Sequence, residues 1–474
     1  MLLIATGLNN LILTSPDGNV WTTVHAADGS GNYLGDIAWN GHNNYVIVGQ
    51  SGIWSSTDGG ASFVNRAVPA GYSFTLATLI ASRGIFKLVI WDGLQFVVVG
   101  WFDTGGGALQ GVVGTSPDGV TWSWANAADS FNPVAIAFNG STYVLLDWRA
   151  FHGGGAQKSR FYSAATPLGA WTLRFTSATE VEYAWLGSNG SSFLAFSSQN
   201  AVAAYSADGS TWAENATAVK IPEERNQVLW DIISNQWIVS GQLANGNYGI
   251  ATTPSGAAFT TRLDVGAAGF AATVLRGAGG NLFSWVGTAV TGPFTSVDNG
   301  TSWTSLVDPD DTDQTDAVWT NAQFVARRIP PIADNYIGTS PDFVTYTSRY
   351  DDADGQVDII RVFGVGTPPA PSACVDFEIE SPGDMPDSGQ QFTGQRLLLT
   401  LNCNVSGVPQ TLTPILIIDG VEHTLPQITT MKRETLDIPI YGYHGRFFDG
   451  VRLTGCLTGR VEVFRIEATV ALGM

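Results

Sequence analysis

Short apolar runs rich in β-branched and aromatic residues recur along the first three quarters of the chain, and turns containing Gly separate them. Residues 45–49 and 96–100 each contain four consecutive apolar positions followed by Gly, which is typical of strands. Stretches rich in the helix formers Ala, Glu, Lys and Leu are missing. The pattern therefore predicts an all-β chain.

The turns carry a repeated motif, Ser-x-Asp-Gly, with an aromatic residue three or four positions later. In the first copy, Ser15–Gly18 precedes Trp21, and the last copy at Ser340 lacks the Gly. The Ser and Asp side chains can accept hydrogen bonds from their own turn, and Gly supplies a left-handed conformation, so we interpret these residues as structural. The Asp residues are Asp17, Asp58, Asp118, Asp208, Asp298 and Asp342. The aromatic residues, including those of two degenerate copies, are Trp21, Phe63, Trp122, Trp171, Trp212, Phe259, Trp303 and Tyr346.

These aromatic residues fall roughly 41 to 59 residues apart, which is the period of a four-stranded propeller blade. A second motif, such as Trp39-Asn40-Gly41, precedes each turn and predicts a two-residue hairpin in which both central residues need positive φ. Each unit therefore reads as four strands, A to D, with short A–B and C–D turns. Eight copies predict an eight-bladed β-propeller, or seven blades if one degenerate copy is a loop.

The ring needs a strand from the far end of the repeat region. The first Ser-x-Asp-Gly turn lies so close to the start of the sequence that its blade has room for only strands B, C and D. The apolar run at 356–363 is predicted to supply the missing inner strand and close the ring, which removes exposed sheet edges.

Three segments follow from this reading. Residues 1–365 form the propeller and residues 366–372 a stiff Pro-rich linker. Residues 373–474 contain six or more short strand-like runs, which predict a small β-sandwich or jelly-roll-like domain.

The turns resemble the Asp boxes, also called bacterial neuraminidase repeats, of sialidase-like propellers. A sialidase would need an arginine cluster, a Tyr nucleophile with its Glu and an acidic proton donor. The nearest match to the arginine motif, Arg327–Pro330, lies between the last two turns, in strand B, and Arg replaces the aromatic residue. The resemblance thus implies the fold and disfavours sialidase activity, so no catalytic residue is predicted.

The formal net charge of −19 argues against binding to nucleic-acid backbones or anionic membranes. Three Cys residues allow at most one disulfide, and the start of the chain shows neither a leader nor a membrane-spanning run. The five His residues lack ligand spacing, so no metal or cofactor is predicted. Acidic stretches at 308–316 and 351–354 either hold Ca²⁺ or are solvated loops.

The B–C and D–A connections vary between blades and include a long segment at 69–83 and two Gly-rich insertions. Variable loops on a rigid scaffold often carry function, although tolerated insertions would look the same. The predicted contact residues on this face are Trp101, Gly106, Trp148, His152 and Gly154.

The C-terminal region, around residues 447–453 and 465–467, loosely resembles the terminal β-domains of structural proteins of tailed bacteriophages. That resemblance implies a non-enzymatic tail component (nozzle, tip or fibre-associated part) of a virion, made in the host cytoplasm. Such a protein would be a homo-oligomer, contacting other tail proteins through its C-terminal domain and a host glycan or protein through the variable face. The alternatives are a carbohydrate-binding propeller and a glycoside hydrolase of the sialidase type.

Overall fold

The fold is that of a computed structural model. The residues it describes in the repeat region are 2–66, 86–103, 109–127, 133–148, 158–177, 181–215, 219–221, 227–267, 270–277, 280–287, 293–306, 313–320, 322–329, 336–351 and 359–365. Beyond them it describes 377–379, 392–403, 410–418, 421–424, 428–430, 434–439, 444–445, 448–456 and 461–472. The chain forms two compact units, Met1–Thr367 and Pro368–Met474, and the boundary falls within the predicted linker.

The first unit is an eight-bladed β-propeller, which confirms the predicted fold class. Each blade is an antiparallel sheet, and the first strands of neighbouring blades contact one another at most seams, so they lie at the centre of the ring. Blades 1 to 4 comprise β1 (Leu2–Gly7), β2 (Ile12–Ser15), β3 (Thr22–His25); β4 (Leu34–Trp39), β5 (Tyr45–Gly49), β6 (Gly52–Ser56), β7 (Val64–Arg66); β8 (Phe86–Trp91), β9 (Phe96–Asp103), β10 (Leu109–Ser116), β11 (Ser123–Asn126); β12 (Pro133–Phe138), β13 (Tyr143–Trp148), β14 (Ser159–Ala164) and β15 (Thr172–Thr176).

Blades 5 to 8 continue in the same order. Blade 6 has one additional short strand, β20, which pairs with strand B of the blade, as strand A does. They comprise β16 (Tyr183–Ser188), β17 (Phe193–Ser197), β18 (Ala203–Ser206), β19 (Ala213–Asn215); β20 (Val219–Lys220), β21 (Val228–Asp231), β22 (Gln236–Leu243), β23 (Tyr248–Thr253), β24 (Thr260–Gly266); β25 (Phe270–Arg276), β26 (Leu282–Gly287), β27 (Phe294–Ser296), β28 (Thr304–Ser305); β29 (Asp313–Trp319), β30 (Phe324–Ile329), β31 (Tyr336–Ser340) and β32 (Thr347–Asp351).

Blade 1 obtains its inner strand from the other end of the unit. Strand β33 (Ile359–Val365) pairs antiparallel with β1, with Leu2 opposite Val365 and Ile4 opposite Phe363. This pairing confirms the predicted closure of the ring. The predicted run began at residue 356, and its first three residues lie outside the described part of the chain.

The apolar core lies in the seams between blades. Strands B such as β5 and β17 are buried at every position, because each blade packs between two neighbours and both faces of strand B are covered. That is why these strands read as continuous apolar runs rather than alternating ones. The outermost strands, such as β15, are largely exposed.

The A–B turns differ from the predicted two-residue hairpins. In blade 4, residues 139–142 link the two strands, and only Gly140 of the Asn139-Gly140 pair has positive φ, at 95°. The Asn139 side chain closes this turn instead, because its Oδ1 accepts the N–H groups two and three residues further on, at 3.1 and 2.9 Å. The same side-chain closure is made by Asp92 in blade 3 and Asn189 in blade 5.

The described strands of the second unit form two antiparallel sheets. One has the order β34-β41-β36-β37, with β38 also on β36, and the other centres on β35, which pairs with β39, β40 and β42. The strands are β34 (Phe377–Ile379), β35 (Phe392–Cys403), β36 (Gln410–Ile418), β37 (Val421–Thr424), β38 (Ile428–Thr430), β39 (Glu434–Pro439), β40 (His444–Gly445), β41 (Phe448–Cys456) and β42 (Val461–Leu472).

Candidate interaction face

The C–D turns are closed by their own side chains. In blade 3, Ser116 Oγ accepts the Gly119 N–H at 2.8 Å, and Asp118 Oδ1 accepts the N–H groups two and three residues further on, each at 2.8 Å. The Trp122 indole N–H donates to the Gly119 carbonyl at 3.2 Å. Backbone N–H and C=O groups that do not take part in strand pairing therefore form hydrogen bonds within the turn. The same Ser-to-Gly bond joins Ser15 to Gly18, Ser56 to Gly60, Ser206 to Gly209 and Ser296 to Gly300.

The turn bonds hold the Asp carboxylates in the ionised form. The Ser302 hydroxyl, followed by its N–H, lowers the pKa of Asp298 to about 2. The Ser62 hydroxyl is likewise the main cause that lowers the pKa of Asp58 to about 2. The pKa values of the other four predicted carboxylates, Asp17, Asp118, Asp208 and Asp342, are also lowered. Hydrogen bonds to the charged form favour it, so six negative charges stand on this face at neutral pH.

Blade 8 shows how a degenerate copy of the turn keeps its shape. Phe343 occupies the position of the Gly and adopts a φ of 66°, a conformation that is costly for a residue with a Cβ. Its ring is fully buried and packs against Phe283 and Phe324, with centroids 5.4 and 4.8 Å away. Burial of the large ring offsets the backbone strain.

Three C–D turns also accept a hydrogen bond from a side chain of the preceding blade. The Gln323 side chain of blade 8 donates to the Asp17 carbonyl of blade 1 at 2.8 Å, across the seam that closes the ring. Asn44 donates to the Asp118 carbonyl at 3.0 Å, and Gln236 donates to the Asn299 carbonyl at 3.0 Å, in the same sense around the ring. The face formed by the A–B and C–D turns, called the turn face below, is therefore tied together between blades as well as within them.

The predicted blade aromatics lie in the seams. Phe63, Trp171 and Tyr346 are buried, and the other five are half-buried. Trp212 of blade 5, for example, packs against Phe161 of blade 4, with ring centroids 4.3 Å apart. These side chains join the turn of one blade to the sheet before it.

The described turns of the turn face carry several exposed aliphatic side chains. The described residues include eight large apolar side chains that are exposed, and only Val64 and Leu173 of these lie in outer strands. The other six stand in A–B or C–D turns, and they are Val20, Leu94, Val120, Ile232, Ile233 and Val297. The sequence analysis did not select them. The available signal was an apolar residue inside a turn that needs none for its hydrogen bonds.

The predicted contact residues of the opposite face lie either outside the described residues or within strands. Gly106, His152 and Gly154 lie outside the described residues. Trp101 lies in β9 and is only 8% exposed, so its ring is a core residue of blade 3 rather than a surface contact. Trp148 ends β13, where its backbone pairs with Ser159.

The arginine that resembled a sialidase motif is also a core residue. Arg328 lies in β30, strand B of blade 8, and is fully buried. Its guanidinium carbon lies 4.3 Å from the ring centroid of Tyr346 and 5.0 Å from that of Trp285. This cation–π sandwich joins blades 7 and 8.

Two further searches concern only the part of the chain that the structure describes. There, no group of three or more His, Cys, Asp or Glu side chains is placed to hold a metal ion. No described helix is long and apolar enough to cross a membrane.

No protein-family profile matches the chain, and no curated protein does either. Among solved structures, it is similar to a GH74 xyloglucanase from Xanthomonas campestris, with 15% identity and a TM-score of 0.36, over 72% of this chain and 62% of that one. A GH74 enzyme from Niastella koreensis matches with 13% identity and a TM-score of 0.35, over 96% and 80%. The β-propeller domain of the trilobed protease from Pyrococcus furiosus matches with 8% identity and a TM-score of 0.39, over 68% and 99%.

These findings correct the expectation of a non-enzymatic structural protein of a bacteriophage tail. The matched structures named above are enzymes or part of a protease, and none is a virion protein. Similarity at this level says nothing about the activity of the present chain. The resemblance to Asp-box repeats accordingly rests on the turn residues alone.

Proposed function

We propose that the propeller is a binding scaffold that engages a polypeptide partner through its turn face. The observation that carries this proposal is that the described turns of one face expose six large aliphatic side chains, three of them in two turns that touch each other. Single exposed aliphatic residues are ordinary, but several neighbouring ones on one surface are typical of an interaction site.

The rigidity of the turns supports the same proposal. Side chains close most C–D turns, and side-chain amide hydrogen bonds such as that from Gln323 to the Asp17 carbonyl tie neighbouring blades together. A surface that is already ordered loses little conformational entropy when a partner binds, so more of the contact energy appears as affinity.

The test compares the whole chain with a variant in which Val20, Ile233 and Val297 are replaced by Ser. Both proteins are applied to a peptide array and a glycan array, and both are incubated with fluorogenic glycosides and peptides. The proposal expects peptide binding by the natural chain that the triple variant loses, with circular dichroism and the thermal midpoint of the variant unchanged.

Two outcomes would overturn the proposal. One is binding confined to glycans and equal for both proteins. The other is turnover of a glycoside or peptide substrate, which would make the propeller part of an enzyme.

A further inference from the structure

Three of the exposed aliphatic side chains lie in two neighbouring turns, one of blade 6 and one of blade 7. Ile232 and Ile233 lie in the A–B turn of blade 6 and are 50% and 62% exposed, and Val297 in the C–D turn of blade 7 is 78% exposed. Gln236, at the end of the first turn, donates to the Asn299 carbonyl in the second turn at 3.0 Å. The two turns are thus in direct contact, and the three side chains, called the 6/7 patch, belong to one surface.

The base of the 6/7 patch is held by a salt bridge. Arg276 Nε donates to Asp231 Oδ1 at 2.8 Å, and Arg276 Nη2 donates to Asp231 Oδ2 at 2.5 Å. Arg276 Nη2 also lies 3.2 Å from Asn299 Oδ1. This bidentate geometry fixes both turns and engages the guanidinium with a carboxylate of the same face.

The rest of the turn face is acidic. The described residues of its turns include seven Asp and neither Lys nor Arg, the Asp residues being Asp17, Asp58, Asp92, Asp118, Asp208, Asp298 and Asp342. Asp298 directly follows Val297, so a carboxylate adjoins the patch. A surface of one charge attracts a partner of the opposite charge and repels one of the same charge.

We propose that the turn face docks a cationic amphipathic segment of a polypeptide, whose apolar side chains cover the 6/7 patch and whose Lys or Arg residues face the surrounding carboxylates. This inference rests on the proposed function and specifies the chemistry of the partner. Apolar burial supplies the anchor, and the acidic surroundings supply orientation and a dependence on salt.

The experiment measures binding of three synthetic peptides to the whole chain by fluorescence anisotropy at 50 and 300 mM NaCl. One peptide has Leu and Lys spaced so that they occupy opposite faces of a helix. The second has Glu in place of Lys, and the third has Ser in place of Leu. The proposal expects the Lys/Leu peptide to bind best and to weaken several-fold at the higher salt concentration.

Protein variants locate the site. Ile233→Ser and Val297→Ser should each weaken Lys/Leu binding by about tenfold, as expected when one large apolar contact is lost. Leu173→Ser is the matched control, because Leu173 is 47% exposed but lies in β15 on the outer strand of blade 4. Its affinity should equal that of the natural chain, and thermal midpoints should confirm that all three variants are folded.

The outcomes separate the two proposals. Tight binding of the Glu/Leu peptide, weakened by Ile233→Ser, would overturn the cationic partner and leave the turn face as the contact surface. Concentration-dependent self-association in sedimentation, abolished by Ile233→Ser, would assign the 6/7 patch to a second copy of this chain and also overturn the cationic partner. Equal loss of affinity in Leu173→Ser, or no binding of any peptide, would overturn both proposals.

Discussion

Two glycines with nearly the same backbone conformation allow the packing between a turn and the preceding blade to be measured. Gly18, in the C–D turn of blade 1, has a φ of 88°, and Gly41, in the A–B turn of blade 2, has a φ of 84°. A Cβ on Gly18 would lie 2.5 Å from Val325 Cγ2 and 3.2 Å from Leu3 Cδ1, whereas a Cβ on Gly41 would meet nothing within 4 Å. Replacement by Ala therefore introduces the same backbone strain at both sites and a steric clash at only one.

The expected magnitudes follow from these two terms. A left-handed conformation costs an Ala residue about 1–2 kcal/mol, so Gly41→Ala should lower the free energy of unfolding by that amount. Gly18→Ala should add about 1–3 kcal/mol of overpacking, because Val325 is fully buried and its branched side chain has little rotamer freedom. The difference in free energy of unfolding between the two variants measures the steric clash between the turn and blade 8.

Urea unfolding followed by Trp fluorescence is the suitable assay. All sixteen Trp residues lie between Trp21 and Trp319, so the signal reports on the propeller and not on the C-terminal unit. The shift in midpoint at constant slope gives the change in stability. Adding Val325→Ala to Gly18→Ala should restore part of the lost stability relative to the sum of the single changes.

Equal losses in Gly18→Ala and Gly41→Ala would refute this reasoning. That result would mean that the turn glycines serve only their own backbone conformation, and that the turns do not lock neighbouring blades together.

Three other predictions concern charge and closure. The pKa values of Asp58 and Asp298 lie near 2, below the ordinary 3.8. The small stabilisation from these two carboxylates is therefore complete above pH 4 and is lost as the pH falls through 3.8 towards 2. Urea midpoints should decline over this range, and they should decline less steeply in a variant with Asn at both positions. Val362→Asp, at a position 2% exposed in the closing seam, should cost about 3 kcal/mol in urea unfolding, and an unchanged midpoint would contradict the role of β33. Arg276→Ala should cost about 2–4 kcal/mol because Asp231 is only 3% exposed, whereas Arg276→Lys should cost less; equal midpoints for Arg276→Ala and the natural chain would contradict a structural salt bridge.

The fold could be predicted from the sequence because its information is local and repeated. The Ser-x-Asp-Gly turns recur at a blade period, and the missing strand of blade 1 left a gap that only the run ending near Phe363 could fill. The A–B turns were predicted wrongly because Asn-Gly favours both a two-residue hairpin and a longer turn closed by the Asn side chain. The bulge near the start of most inner strands, such as that between Leu34 and Asp36, has no signature in one sequence.

The candidate site was less accessible to sequence reasoning. Trp101 was selected because it flanks a Gly-rich insertion, but its ring is buried, since an aromatic residue at the end of strand B can enter a seam as readily as solvent. The 6/7 patch was missed because Ile232 and Val297 are 65 residues apart in the chain. Only the ring order, which brings the A–B turn of one blade next to the C–D turn of the following blade, places them together.

The pairing of β1 with β33 means that the ring can close only after β33 has been synthesised. The strand that pairs with the open edge of residues 2–7 is synthesised more than 350 residues after them. At about 5–20 residues per second this interval is roughly 20–70 s, during which an apolar strand has an unpaired edge in a crowded cell. Translation speed, or a chaperone that covers residues 2–7 for that time, would therefore control how much of the newly made chain reaches the closed ring and how much aggregates.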